Sequence, residues 1–97
     1  MRWSVSSKEA TVLELLARGR ELYGLQLVEL SEGELKRGTV YVTLGRMEEK
    51  GLVVSRREKK APPGGGLPRR LYRLTALGKA ALSARRQIVR RLKEQPA

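Results

Sequence analysis

Apolar positions recur at helical spacing along much of this chain. Val12, Leu13, Leu15 and Leu16 follow a 3.6-residue period behind Ser6-Ser7-Lys8-Glu9, an S-x-x-E capping box whose hydroxyl and carboxylate satisfy reciprocal backbone amides. A first helix from about 7 to 18 is predicted, with Gly19 as a left-handed stop. From Glu21 to Leu30, the residues Leu22, Tyr23, Leu25, Leu27, Val28 and Leu30 predict a shorter second helix, apolar on most sides and therefore central. Ser31-Glu32-Gly33 breaks it, and a turn follows over Glu34 to Gly38. The segment Thr39 to Gly51 is β-branched at four of its first five positions, which by propensity alone favours a strand. Spacing decides for a helix. Val40, Leu44 and Met47 fall at i, i+4, i+7 on one face, Thr39, Thr43, Arg46 and Lys50 form a polar, basic outer face, and Gly51 stands as the C′ stop. Thr39 caps this helix, or the cap lies one or two residues earlier.

Two strand-like runs follow, Leu52 to Glu58 and Leu71 to Leu74. The intervening KKAPPGGGLPRR, rich in Pro, Gly and cations, predicts a β-hairpin with a long, mobile, charged tip. Thr75 then caps a helix from Ala76 to about Lys93. Its stripe Leu77, Ala81, Ala84, Ile88 and Leu92 repeats at i, i+4, i+7, i+11, i+15, flanked by Arg85, Arg86, Arg90 and Arg91. So small a core cannot cover a helix of that length, and the stripe therefore needs a partner surface.

At 97 residues the chain is one domain, given about 100 to 200 residues per domain. A chain this short buries only about 60 to 65% of its unfolded surface, so self-association is an expected source of stability. His, Cys and Asp are all absent, which removes Cys/His metal sites, Ser-His-Asp and Cys-His nucleophilic systems and disulfides. An enzyme is not expected, nor is a cofactor or a metal. The longest uncharged stretches fall far short of the roughly 18 apolar residues of a membrane span. The first residues form a capped helix rather than a signal peptide, so a cytoplasmic location without membrane attachment is expected.

The formal net charge is +11 and it is unevenly placed. Residues 1–34 hold Arg2, Lys8, Arg18 and Arg20 against six Glu, a net of −2, so residues 35–97 carry +13. One reading is the solvated surface of an Arg-rich composition; the other is a polyanion-binding surface on the last two thirds of the chain. The element order helix, helix, turn, helix, two-stranded wing, helix favours the second. It is that of a winged helix-turn-helix, an α+β fold that is mostly α, with residues 1–75 as the binding unit and 76–97 as a C-terminal dimerisation helix. The basic third helix can then enter a major groove about 12 Å wide, beside a basic wing.

The sequence also resembles the PadR family of transcriptional regulators over nearly its whole length. The resemblance rests on Tyr23-Gly24-Leu25-Gln26-Leu27, on Arg37 to Glu48 (RGTVYVTLGRME), on Lys50-Gly51-Leu52-Val53 and on Arg69 to Gly78 (RRLYRLTALG). T-x-Y-x-x-L, E-x-K-G-L and Y-x-x-T-x-x-G are specific together and weak singly. The resemblance implies a homodimeric, DNA-binding repressor whose last helix makes most of the dimer interface, often aided by the first. The chain departs from the family pattern in its longer Pro/Gly-rich wing tip and its single short C-terminal helix.

The expected function is therefore a dimeric regulator of double-stranded DNA that acts as a repressor on an inverted-repeat operator. An RNA-binding or protein-interaction winged helix is the alternative. The expected DNA contacts are Lys36, Arg37, Thr39, Tyr41, Val42, Thr43, Arg46 and Lys50, with Lys59, Lys60, Arg69 and Arg70 from the wing; the expected dimer contacts are Leu77, Ala81, Ala84, Ile88 and Leu92. Val42 either meets a thymine methyl or packs against the wing. The Tyr41 ring is wedged beside the core, or its hydroxyl serves a phosphate. Tyr23 and Tyr72 are expected in the core. Some relatives hold flat hydrophobic compounds between subunits with a tryptophan, so one reading places a small hydrophobic effector at Trp3, and the other has Trp3 packing on its own subunit or the partner.

Overall fold

The structure, a computed structural model, describes residues 4–60, 63–66 and 68–94. Trp3, with the effector reading attached to it, lies outside the described residues. Helix α1 (Ser7–Gly19) starts at the capping box: Ser6 Oγ accepts from Glu9 N–H at 3.1 Å and Glu9 Oε1 accepts from Ser6 N–H at 2.9 Å. Its end corrects the expectation for Gly19. Gly19 is still helical, and the positive φ falls on Arg20, at φ 68° and ψ −71°. There Glu21 N–H reaches back to the Gly19 carbonyl, a tight γ-turn of the strained kind. Gly19 serves close packing instead, because a Cβ there would lie 2.9 Å from Leu22 Cδ1.

That turn sends Leu22–Tyr23 into a short strand, β1, where the hydrophobic pattern predicted the first turn of a helix. Helix α2 is accordingly only Gly24–Leu30, and it is not central. It buries Gly24 and Leu27 and leaves Leu25 and Leu30 exposed. Ser31 organises the next turn by donating to the Val28 carbonyl at 2.8 Å and accepting from Leu35 N–H at 2.9 Å, and Leu35 plugs the core.

Helix α3 (Val40–Glu49) buries Val40, Leu44 and Met47 completely, as their spacing required. It ends in a Schellman motif, with Gly51 at φ 77°, Gly51 N–H on the Glu48 carbonyl and Leu52 N–H on the Met47 carbonyl. Strands β2 (Val53–Arg57) and β3 (Arg70–Leu74) make the wing. The sheet is antiparallel in the order β1-β3-β2, with Leu22 opposite Tyr72 and Ser55 opposite the other side of Tyr72. Tyr72 is buried in the core, as expected, and that burial pushes its phenol up.

Thr75 joins wing to last helix. Its hydroxyl donates to the Gly51 carbonyl and accepts from Gly78 N–H, capping α4 (Ala76–Glu94). A Cβ at Gly78 would collide with the Leu52 carbonyl, so this glycine lets α4 press onto the α3–β2 junction. Only Gly78 and Leu82 of α4 are buried. No helix is long and apolar enough to cross a membrane among the described residues.

Candidate nucleic-acid interface

At about 100° per residue, Val42, Gly45, Arg46 and Glu49 point away from the buried stripe of α3. Val42 is 55% exposed. Arg46, like Lys36 and Arg37 in the turn before the helix, is exposed and takes part in no ion pair among the described residues. Thr39 precedes the helix but makes no side-chain cap. The Val40 amide bonds to the Lys36 carbonyl instead, leaving Thr39 exposed at the helix entrance. Tyr41 lies across the start of α2. A Cβ at Gly24 would fall 2.6 Å from its ring, while the ring's other side leaves the residue 52% exposed.

Two residues of the expected outer face are placed differently. Thr43 is buried, and its hydroxyl donates to the Thr39 carbonyl at 3.4 Å. It sits one turn from Thr39 yet only about 60° around the helix from Val40, so it joins the buried stripe rather than the wet face. Lys50 turns back to α1, its Nζ 2.8 and 3.0 Å from the Glu9 carboxylate and 2.8 Å from the Ser4 carbonyl. Glu9 is 3% exposed, so Lys50 supplies the counter-charge that a buried carboxylate requires. The same carboxylate closes the capping box, which fixes the far end of α3 to the beginning of α1.

The wing divides its cations in the same way. Arg69 stacks on the Tyr23 ring at 3.8 Å and grips Glu58 with Nη2 at 3.1 Å. Glu58 accepts from the Tyr23 hydroxyl at 2.6 Å and from the Arg69 backbone N–H at 2.8 Å. The Arg69 guanidinium, then the Tyr23 hydroxyl, then the Arg69 amide hold the Glu58 carboxyl down at about 2, and the Glu58 bond raises the Tyr23 phenol in return. Tyr23 is therefore not a core residue but one side of a latch from β1 to the wing. Beside it Arg56 pairs with Glu21 through two bonds of 2.8 and 2.9 Å, which lowers Glu21. Lys59, Lys60 and Arg70 remain exposed and outside any ion pair among the described residues, with Arg70 donating to Ser55 Oγ at 3.1 Å.

The carboxylates Glu9, Glu14, Glu21 and Glu58 are thus each spent on a cation, the last three outside α3: Arg86 with Glu14, Arg56 with Glu21 and Arg69 with Glu58. Among the described residues, the exposed cations outside any ion pair include Lys36, Arg37 and Arg46 in and before α3, Arg57, Lys59, Lys60, Arg70 and Arg73 on the wing, and Lys79, Arg90, Arg91 and Lys93 on α4. Sequence reasoning missed the latch. Its available signal was Glu58, a lone acid among wing cations. On α4, Leu77, Ala84, Ile88 and Leu92 of the expected stripe are exposed, and Ala81 is partly packed on the core. Among the described residues no cluster could hold a metal ion.

Comparison with known proteins gives a consistent picture. Residues 12–84 match the transcriptional regulator PadR-like family. A PadR family transcription regulator from Clostridium difficile shares 29% identity and superposes with a TM-score of 0.80, over 92% of this chain and 93% of that one. A PadR family transcriptional regulator from Eggerthella lenta shares 28% identity, TM-score 0.66, over 90% and 74%. Bacillus subtilis PadR, solved in complex with operator DNA, shares 26% identity, TM-score 0.68, over 91% of this chain and 48% of its own. No curated protein matches the chain.

Proposed function

Because the chain belongs to the PadR-like family of transcriptional regulators, we propose that it is a cytoplasmic homodimeric repressor that binds double-stranded DNA at an inverted-repeat operator. Residues 1–75 read the DNA and residues 76–97 join two chains. Helix α3 enters the major groove with Arg46 and Val42 toward the base edges, while Lys36, Arg37, Thr39 and Tyr41 meet the backbone at its N-terminal end. Lys59, Lys60 and Arg70 neutralise flanking phosphates.

The observation that carries this reading is the exposure of Lys36, Arg37, Arg46, Lys59, Lys60 and Arg70 on α3, the turn before it and the wing. Among the described residues these side chains take part in no ion pair, whereas Glu9, Glu14, Glu21 and Glu58 each hold a cation. Exposed, unpaired cations on a helix and a hairpin suit the release of condensed counterions from a duplex. The operator complex of Bacillus subtilis PadR supports the choice of DNA over other polyanions.

The test is selection of bound duplexes from a random pool. A palindrome with half-sites about one helical turn apart is expected. A pool that stays random, or a preference for single-stranded RNA, would remove the proposal.

A further inference from the structure

Gly45 stands in the middle of α3, where glycine destabilises a helix relative to alanine because it surrenders more backbone freedom. Such a residue is normally explained by a positive φ or by a neighbour that leaves no room for a Cβ. Neither applies. Gly45 is not among the positive-φ residues, and nothing lies within 4 Å of where its Cβ would be. By contrast, Gly19, Gly24 and Gly78 each meet a close neighbour inside the chain. The bare position opens onto the outer face, where Val42, one turn earlier, holds an apolar side chain in water. Arg46 lies beside the pair in sequence and Glu49 one turn beyond Gly45, so the bare and apolar spot is flanked by one exposed cation and one exposed acid.

We infer that Val42 and Gly45 form a specificity-determining notch in which the α3 backbone approaches the major-groove floor at Gly45 and the Val42 methyl groups cover the C5-methyl of a thymine. The inference rests on the DNA-binding function proposed above. A thymine methyl is the one apolar group that base pairs present in the major groove, so it is the feature a valine can read there. Gly45 sets the depth. A side chain at that position would meet the base edges first and hold the helix away from them, while Arg46 fixes the lateral position through a charge-assisted contact.

Two measurements test this on the palindrome recovered by the wild-type chain. Gly45→Ala should melt at or above the wild-type temperature and sediment as the wild type does, yet bind the palindrome about tenfold or more weakly, the scale of one lost base-pair contact. Replacing thymines singly by uracil, which deletes only the methyl, should reveal a position in each half-site that costs the wild type about fourfold, as one buried methyl would. Val42→Ala should be indifferent to that same replacement. Gly45→Ala binding with wild-type affinity overturns the inference, as does a lower melting temperature, which would place the need for glycine inside the chain. Uniform tolerance of uracil also overturns it. A wild-type chain that enriches no palindrome defeats the function proposed above; one that does, with any of the three failures just named, defeats the notch alone.

Discussion

Helix α3 buries Val40, Leu44 and Met47 against α1, α2 and β2 and turns Val42, Gly45 and Arg46 outward, whereas α4 buries Gly78 and Leu82 and leaves Leu77, Ile88, Val89 and Leu92 in water. Both are amphipathic by sequence, and both expose apolar side chains. The difference is that α3 is complete within one chain. Its inner stripe is covered, its C-terminus is closed by Gly51 and tied by Lys50 to Glu9, and what it exposes is mixed: Tyr41, Val42, Arg46, Glu48 and Glu49. The inner half of α4 is complete and the outer half is not, with Ile88 60% and Leu92 65% exposed on a run flanked by arginines. An exposed apolar run rimmed by charge is the usual mark of a protein interface. The difference supports the proposal of different partners for the two helices, DNA for α3 and a second chain for α4.

The sharpest way to break that assignment is to make α4 fully polar. Ile88→Glu with Leu92→Glu should yield monomers by sedimentation velocity and weaken palindrome binding by about 100-fold or more, the usual avidity of two linked sites, with the melt of the remaining core retained. A double variant that stays dimeric would mean that α4 is simply a wet helix.

Next in size is Arg46→Ala, which should cost about 1 to 3 kcal/mol of DNA binding and leave the dimer and the fold intact. Unchanged affinity at fixed salt would take the outer face of α3 out of the interface.

The wing carries a smaller and more diagnostic effect. Each neutralised phosphate contributes about −0.9 to the slope of log affinity against log salt. Replacing Lys59, Lys60 and Arg70 by alanine should flatten that slope by roughly 2 to 3 per engaged wing. Adding Arg69→Ala should hardly change it further, because Arg69 is already neutralised by Glu58. An equal step for all four would mean that the latch opens on DNA.

The smallest expected effect is on stability in acid. With its carboxyl held down at about 2 in the folded chain, Glu58 contributes stability above its unfolded pKa, near 4.3, and loses it as pH falls toward 2. Melting curves from pH 7 to 2 should therefore show Glu58→Gln less stable than wild type at neutral pH and converging with it in acid. Parallel curves at every pH would deny the latch.

Long periodic segments with caps were legible in the sequence: α1, α3 and α4, the Ser6–Glu9 box, the Gly51 stop and the Thr75 cap all stand where the pattern put them. What escaped was set by contacts distant in sequence. Leu22 and Tyr23 are apolar enough to extend a helix, and only pairing with Leu71 and Tyr72 makes them a strand. Lys50 looks like one more cation of a wet face until Glu9, 41 residues away, needs a counter-charge. Arg69 is the same case, resolved by Tyr23 and Glu58. Among the expected DNA contacts, therefore, charge alone could not separate free cations from those already paired. Thr43 was misplaced for a simpler reason: the i, i+4 step from Thr39 carries it around the helix to the edge of the buried stripe.

The most direct test of the whole account is the stoichiometry and footprint of the wild-type chain on its selected duplex. Two chains per duplex, protecting two major-groove patches about 34–36 Å apart with binding that collapses on an isolated half-site, is the result the account predicts. One chain per duplex, bound to a half-site as tightly as to the palindrome, would contradict it.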